Sequence, residues 1–274
     1  MDTPVEQHYS RNRLFETIIS LLEKSGISKN SITPADLSMM DEFHVRGAEV
    51  TKQLAAKANL EKNMKVLDVG SGIGGPARFM ADEYGCLTTG IDITSEYIRT
   101  AILLSELTGL GDRTRFVQGD ALSLPFEDSS FDIVWTQHVQ MNIEEKERFY
   151  SEIYRVLKPG GKFIYYDIFS LNNQPLHFPL PWAETSELNH LITTDDLHQL
   201  HRSTGFEIIE TMDQTGPGID FLSTVLQKSA VNGFPAASIR VLMGDSVEEK
   251  LSNLHKNLFE GKICLESGIC IKSK

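Results

Sequence analysis

The residues best equipped for chemistry lie in the stretch VLDVGSGIGG at positions 66–75 and at the ends of the segments that follow it. Four mostly apolar residues predict a buried parallel strand, the crowded glycines a tight turn, and Pro76 the first turn of a helix. Gly70, Ser71 and Gly72 would bring bare backbone against a ligand. The helix start would add unpaired N–H groups and the positive end of a dipole. Gly70, Gly72 and Gly75 satisfy G-x-G-x-x-G, and Asp92 follows at the spacing where a dinucleotide-binding chain places an acid for ribose hydroxyls. Asp68 argues the other way: a carboxylate two residues before the first glycine opposes a pyrophosphate and suits a ligand carrying an ammonium group. The plainer alternative has Asp68 only tying down loop amides.

Polar residues recur at the ends of the predicted strands. Asp92 follows 87–91, Asp120 follows 115–118, Gln137 and His138 follow 131–135, and Asp167 follows 162–166. With helices predicted over 95–108 and 144–157, this alternation implies an α/β fold with a doubly wound, mostly parallel sheet, which would line these residues along one edge. There Asp92 suits vicinal hydroxyls, and Asp120 with the Ala121 amide suits an adenine edge; an ordinary turn is the plainer reading of Gly119-Asp120. Three helices, over 12–24, 34–44 and 47–59, precede the first strand and are free to lie over that edge, bringing Tyr9, His44 and Arg46 to the site. Residues 171–192 combine three prolines with Phe178, Trp182, His177 and His190, which suggests a lid of exposed aromatics that excludes water. A helix over 194–204, a strand over 206–211 and a last strand over 262–271 complete the pattern. The chain thus divides into an N-terminal helical segment (1–62), a cofactor-binding core (63–170), a substrate lid (171–192) and a C-terminal part (193–274) with an inserted helical cap at about 216–258.

A chain of 274 residues, 41% hydrophobic, is long enough for one large domain or a domain with a cap. Its formal net charge of -12 disfavours a polyanionic partner such as nucleic acid. The cysteines, Cys86, Cys264 and Cys270, show neither a disulfide framework nor a zinc spacing, so a reducing, cytoplasmic setting and no metal are expected. No apolar run approaches the roughly 18 residues of a membrane span, and residues 1–10 are polar, so no membrane anchor is expected. The expected partner is a small molecule, with the chain a monomer or homodimer.

As a set, Asp68-x-Gly70-x-Gly72, Gly90-Ile-Asp92, Gly119-Asp-Ala121 with Leu124-Pro-Phe126, Phe131-Asp132 and Leu157-Lys-Pro-Gly-Gly161 resemble the S-adenosylmethionine-dependent methyltransferases of the Rossmann-like class. Phe43-His44-Val45, Trp135-Thr-Gln-His-Val139 with Met141-Asn-Ile143, and Pro181-Trp182-Ala183 more narrowly resemble the sarcosine/dimethylglycine N-methyltransferase-like subgroup. Kin of that subgroup are the sterol, tocopherol and ubiquinone or menaquinone C-methyltransferases. The resemblance implies a seven-stranded sheet with an antiparallel last strand and S-adenosyl-L-methionine as cofactor. It implies Asp68, Gly70, Ser71 and Gly72 around the methionine part, Asp92 and Ile93 at the ribose, Asp120 and Ala121 at the adenine, and Gln137 and His138 facing the sulfonium. Ser71 stands where a cysteine is frequent; either residue is small.

Methyl transfer is an in-line displacement on a cationic sulfonium, so alignment and exclusion of water are the main demands and no metal is required. An amine acceptor must arrive neutral, which makes His138 or Asp167 a candidate to take its proton, with Gln137 beside them. An acceptor carboxylate normally calls for Arg or Lys, yet residues 171–201 contain neither. Arg46, Lys228 and Arg240 are the cations left to consider, and Arg46, Met141, His177 and Trp182 are the candidate acceptor contacts. The expectation is methyl transfer to a small molecule, at an amine nitrogen; the alternative is C-methylation of an isoprenoid, sterol or quinone-type ring. An S-adenosylmethionine sensor without turnover is a further alternative. A nicotinamide dehydrogenase would leave Asp68 and Asp120 without a role.

Overall fold

The computed structural model describes residues 13–172 and 174–273. Tyr9 lies outside them. The described chain forms two units, the residues up to Ala121 together with Pro235–Gly244, and Leu122–Phe234 together with the residues from Asp245 onward. The strands of both belong to a seven-stranded sheet of order β3-β2-β1-β4-β5-β7-β6, with ranges given below.

The first unit opens with α1 (Leu14–Lys24), α2 (Pro34–Asp41) and α3 (Ala48–Ala58). A capping box between Thr33 and Asp36, with Pro34 in the first turn, starts α2. On α1 the apolar stripe Leu14, Ile18, Ile19 and Leu22 buries itself with Leu37 and Met40 of α2. Each such side chain contributes roughly 1.5–3 kcal/mol on leaving water. Leu242 joins the same cluster, and the short segment Pro235–Gly244 belongs to this unit.

Then follow β1 (Lys65–Val69), α4 (Gly75–Tyr84), β2 (Leu87–Asp92), α5 (Ser95–Leu107) and β3 (Thr114–Gln118). The three strands are parallel, and their register sets Asp68 beside Gly90 and Gly90 beside Phe116. Val66, Leu67 and Val69 of β1 are fully buried, as a strand covered on both faces requires.

The second unit contains β4 (Phe131–Gln137), α6 (Lys146–Val156), β5 (Leu157–Ser170), α7 (Thr194–Thr204), β6 (Phe206–Asp213), α8 (Thr215–Asn232), α10 (Val247–Phe259) and β7 (Ile263–Lys272), the short α9 (Arg240–Met243) lying in the first. β4 and β5 are parallel, and β7 runs antiparallel to both β5 and β6. Lys158-Pro-Gly-Gly161 reads from sequence as a break before the strand. The structure makes it a bulge within β5: Phe131 pairs with Leu157, and the ladder resumes with Ile133 opposite Lys162. β5 also runs on to Ser170, because β7 supplies partners as far as Ile263. Residues 174–192 are irregular apart from an isolated bridge between Leu180 and Ala183 and a 3-10 turn at Ser186–Leu188. Their expected exposed aromatics need correction at Trp182, which is 2% exposed and donates its indole N–H to Asn189 Oδ1 at 2.9 Å. No helix among the described residues is long and apolar enough to cross a membrane.

Candidate active site

In the first unit the turn after β1 is built by backbone. Gly70 N and Ser71 N both donate to the Ile91 carbonyl, at 2.8 and 3.0 Å, folding the chain back on β2. Gly70 and Gly72 have φ of 73° and 53°, which a side chain would strain. Gly72 N donates to Asp92 Oδ2 and Thr94 N to Asp92 Oδ1, both at 2.9 Å, so Asp92 braces the loop from the neighbouring strand end. Ile93 follows, and its carbonyl accepts from the Gln118 amide at 3.1 Å. Asp120 is exposed and Ala121 half-buried, one turn past β3.

Asp68 is 2% exposed, and its Oδ2 has no hydrogen-bond partner among the described residues. Burial pushes its carboxyl up to about 8, with the charges of Glu42 and Asp92 adding to the shift. Three acids therefore act on one another at the end of β1. A cation is the group that relieves such an arrangement. The Ser71 hydroxyl is also buried with no hydrogen-bond partner among the described residues.

His44, expected at the cofactor, is held through Nε2 to Glu42 Oε2 at 2.8 Å, and Thr51 donates its hydroxyl to the same oxygen at 2.7 Å. Arg46 sits at φ 69° and spends its guanidinium on Glu49 and Gln53. Sequence reasoning missed Glu42 and also Arg78. The Arg78 side chain is fully buried in α4 and donates to Asp41 Oδ2 at 2.8 Å and to the Ile73 carbonyl at 2.7 Å. It ties the end of α2 to the glycine loop. Burial raises the Asp41 carboxyl while Arg78 pulls it back. The sequence signal was faint: an arginine two residues after a first-turn proline, on what otherwise reads as an ordinary helix.

In the second unit, Gln137 is buried and accepts the Trp135 indole N–H at 2.8 Å. His138 has φ 53°, donates its backbone N–H to the Tyr166 carbonyl at 2.8 Å and rests on the Tyr166 ring, with centroids 4.9 Å apart. Asp167 accepts from Val139 N and Gln140 N through Oδ2, both at 3.1 Å, and from Ile168 N through Oδ1 at 3.0 Å. Burial lifts its carboxyl to about 6 against these amides and the charge of Lys146. The geometry thus makes Asp167 a holder of the loop that carries His138, with its oxygens already committed to backbone.

Lys146, unremarked in the sequence because Glu144-Glu-Lys-Glu-Arg148 reads as a solvated face, is 6% exposed. Its ammonium donates to the carbonyls of Gln140 and Ile143 and to that of His190 at 2.7 Å, and burial lowers it to about 8. Met141 is buried in the 3-10 turn Gln140–Asn142 thus clamped, and its carbonyl accepts from His190 N at 3.0 Å. His177 turns to the end of α10: Nε2 meets Glu260 Oε2 at 2.8 Å and Lys262 Nζ at 3.0 Å. No cluster of metal-ligating side chains occurs among the described residues.

Residues 67–165 match the family described as a methyltransferase domain. The chain carries an S-adenosylmethionine-dependent methyltransferase domain. The sterol 24-C-methyltransferase of Saccharomyces cerevisiae is 33% identical over 166 residues, covering 58% of this chain and 43% of that one. The matched segments span 30% to 47% of the length of the sterol 24-C-methyltransferases with which the chain aligns. Among solved structures, a protein from Galdieria sulphuraria provisionally named a sarcosine dimethylglycine methyltransferase superposes with a TM-score of 0.71 at 19% identity, covering 87% of this chain and 93% of that one. The [4+2]-cyclase SpnF superposes with a TM-score of 0.69 at 22% identity, covering 100% and 98%. These superpositions carry the fold. The methyltransferase domain has S-adenosylmethionine as its cofactor, and the first unit's residues suit it: an acid cluster for a cation, a glycine turn for close approach, and the start of α4 for a carboxylate.

Proposed function

We propose that this protein transfers the methyl group of S-adenosylmethionine to a carbon atom of an apolar, isoprenoid- or sterol-like acceptor. The observation that carries the reading is the similarity of the catalytic domain to sterol 24-C-methyltransferases, at 32% to 44% identity. Two features of the chain support it. The stretch 171–201 contains no Arg or Lys for an acceptor carboxylate, and Arg46 already pairs with Glu49. Amine N-methylation is the second reading, favoured by the motifs that resemble the sarcosine/dimethylglycine subgroup.

The bound cofactor supplies a methyl carbon made electrophilic by its sulfonium. In this reading Asp68, Gly70, Ser71 and Gly72 hold the methionine part, Asp92 and Ile93 the ribose, and Asp120 and Ala121 the adenine. Asp92 acts partly by fixing the Gly72 amide. Methyl addition to an alkene leaves a cation that must lose a proton, and N-methylation also releases one. His138 is assigned that proton, because its backbone is fixed by Tyr166 and an imidazole nitrogen can accept a proton. Asp167 and Lys146 act by positioning the 138–143 loop. Met141 and Trp182, both buried, are assigned to packing behind the acceptor site, and Gln137 to orientation. The protein is assigned a small-molecule partner, as a monomer or homodimer.

The test is S-adenosylhomocysteine formation with purified protein, offering in parallel a sterol with a side-chain double bond, a short prenyl alcohol and diphosphate, a quinone precursor, glycine, sarcosine, dimethylglycine and simple amines. Turnover confined to the alkenes or the ring compound supports the proposal. Turnover confined to amines overturns it in favour of N-methylation. Tight cofactor binding without turnover of any acceptor would favour a sensor.

A further inference from the structure

Among the buried groups that the mechanism above leaves unused is Glu42, in the turn between α2 and α3. Its surroundings are defined. Glu42 is 4% exposed, and its Oε2 accepts from the Thr51 hydroxyl at 2.7 Å and meets His44 Nε2 at 2.8 Å. The backbone around it is pressed against the glycine loop, since a side-chain carbon at Gly75 would collide with the carbonyl of Asp41, the residue before Glu42. Arg78 secures the same junction by bonding both Asp41 and the Ile73 carbonyl. So the chain leading into Glu42 is fixed against the start of α4, and a hydroxyl and an imidazole hold the Glu42 carboxylate.

Its charge acts on Asp68, whose Oδ2 is buried with no hydrogen-bond partner among the described residues. Two acids whose charges act on one another, one with an acceptor that lacks a partner among the described residues, match a group that donates several hydrogen bonds and carries positive charge. A primary ammonium has three donors. The sulfonium has none, so it gains nothing from aimed acceptors beyond its charge.

We propose that Glu42, positioned by Thr51 and His44, forms with Asp68 the seat of the α-ammonium group of the cofactor's amino-acid part. This rests on the reading of the domain as an S-adenosylmethionine site. It makes the 42–51 segment a specificity element: it selects ligands that retain the amino-acid part over ligands that end at the thioether. Thr51 and His44 are positioning residues in this scheme, and Glu42 is the contact.

Two stable probes separate the contributions. S-adenosylhomocysteine carries the ammonium, and 5′-methylthioadenosine lacks the amino-acid part. Calorimetric titration of the full chain with each is expected to show Glu42→Gln weakening S-adenosylhomocysteine at least 10-fold while changing methylthioadenosine less than 2-fold. Thr51→Val should weaken S-adenosylhomocysteine about 3-fold or more, and Thr51→Ser, which keeps the hydroxyl, should restore it. Retained methylthioadenosine binding certifies that each variant is folded. Equal loss of both probes in Glu42→Gln, or loss of neither, overturns the assignment; should that variant fail to fold, the Thr51 pair decides by the same comparison. If the wild-type protein binds neither probe nor S-adenosylmethionine, the cofactor reading itself falls. If it binds S-adenosylhomocysteine and the Glu42 and Thr51 variants do so equally well, only the assignment of Glu42 falls.

Discussion

Asp68 shows how a single side chain holds strain for a ligand. Its folded carboxyl is raised to about 8 from an ordinary value of 3.8, so between those pH values the folded chain keeps a proton that the unfolded chain has lost. Stability therefore falls as pH rises through that window. At pH 7 the separation of about 3 units, at 1.36 kcal/mol each, sets an upper bound of about 4 kcal/mol. Asp68→Asn, which cannot ionise, should then exceed the ligand-free wild type in urea melts by about 2–4 kcal/mol at pH 7 and match it near pH 4. A variant less stable than wild type at both pH values would show that Asp68 is chiefly a loop brace. Arg78 is the opposite case. Arg78→Met would leave Asp41 buried without its partner, and a loss of about 3–5 kcal/mol is expected near neutral pH. The loss should shrink as pH falls toward about 6, the value of the folded wild-type Asp41 carboxyl, because without Arg78 that carboxyl takes up its proton at a higher pH than in the wild type; a pH-independent loss would instead indicate poor packing of the methionine.

Elements, unlike these pairs, were largely legible in the sequence, and the reason is physical. Helix signals are local: Thr33 and Asp36 start α2, Thr193 and Asp196 start α7, and Gly205 ends it. The strand ends that carry Asp68 and Asp92 are fixed by glycine chemistry that any reader of the sequence can see. What escaped depends on partners far along the chain. β5 extends to Ser170 because β7, about a hundred residues later, pairs with it. The 158–161 break becomes a bulge because the ladder closes around it. Lys146 escaped because nothing in its own charged neighbourhood reveals that three carbonyls, one from His190, converge on it. Its importance can be measured at the level of the element. In Lys146→Met, backbone amides of residues 138–143 and His190 should exchange with solvent at least about 10-fold faster while those of β5 do not change, because the clamp restrains a turn rather than the strand. Uniform acceleration across β5 would mean that the substitution loosens the whole unit.

At the scale of the whole molecule the acidic balance of the chain and the acid cluster of the first unit act in the same sense. The formal net charge is -12, and S-adenosylmethionine, with a sulfonium, an ammonium and one carboxylate, carries one net positive charge. S-adenosylhomocysteine, having lost the sulfonium, is neutral overall. A field of one sign steers an oppositely charged ligand inward and leaves a neutral one to diffuse. The association rate of S-adenosylmethionine should therefore fall about 3- to 10-fold as salt rises from about 20 mM to about 500 mM and the screening length contracts, whereas that of S-adenosylhomocysteine should change less than about 2-fold. Stopped-flow fluorescence with both ligands measures this directly. Equal salt dependence for the two would place the discrimination in local contacts at Asp68, Glu42 and Asp92 rather than in the field of the chain. Unequal dependence would mean that the surface charge, which sequence composition alone reveals, already favours arrival of the methyl donor over return of the spent product.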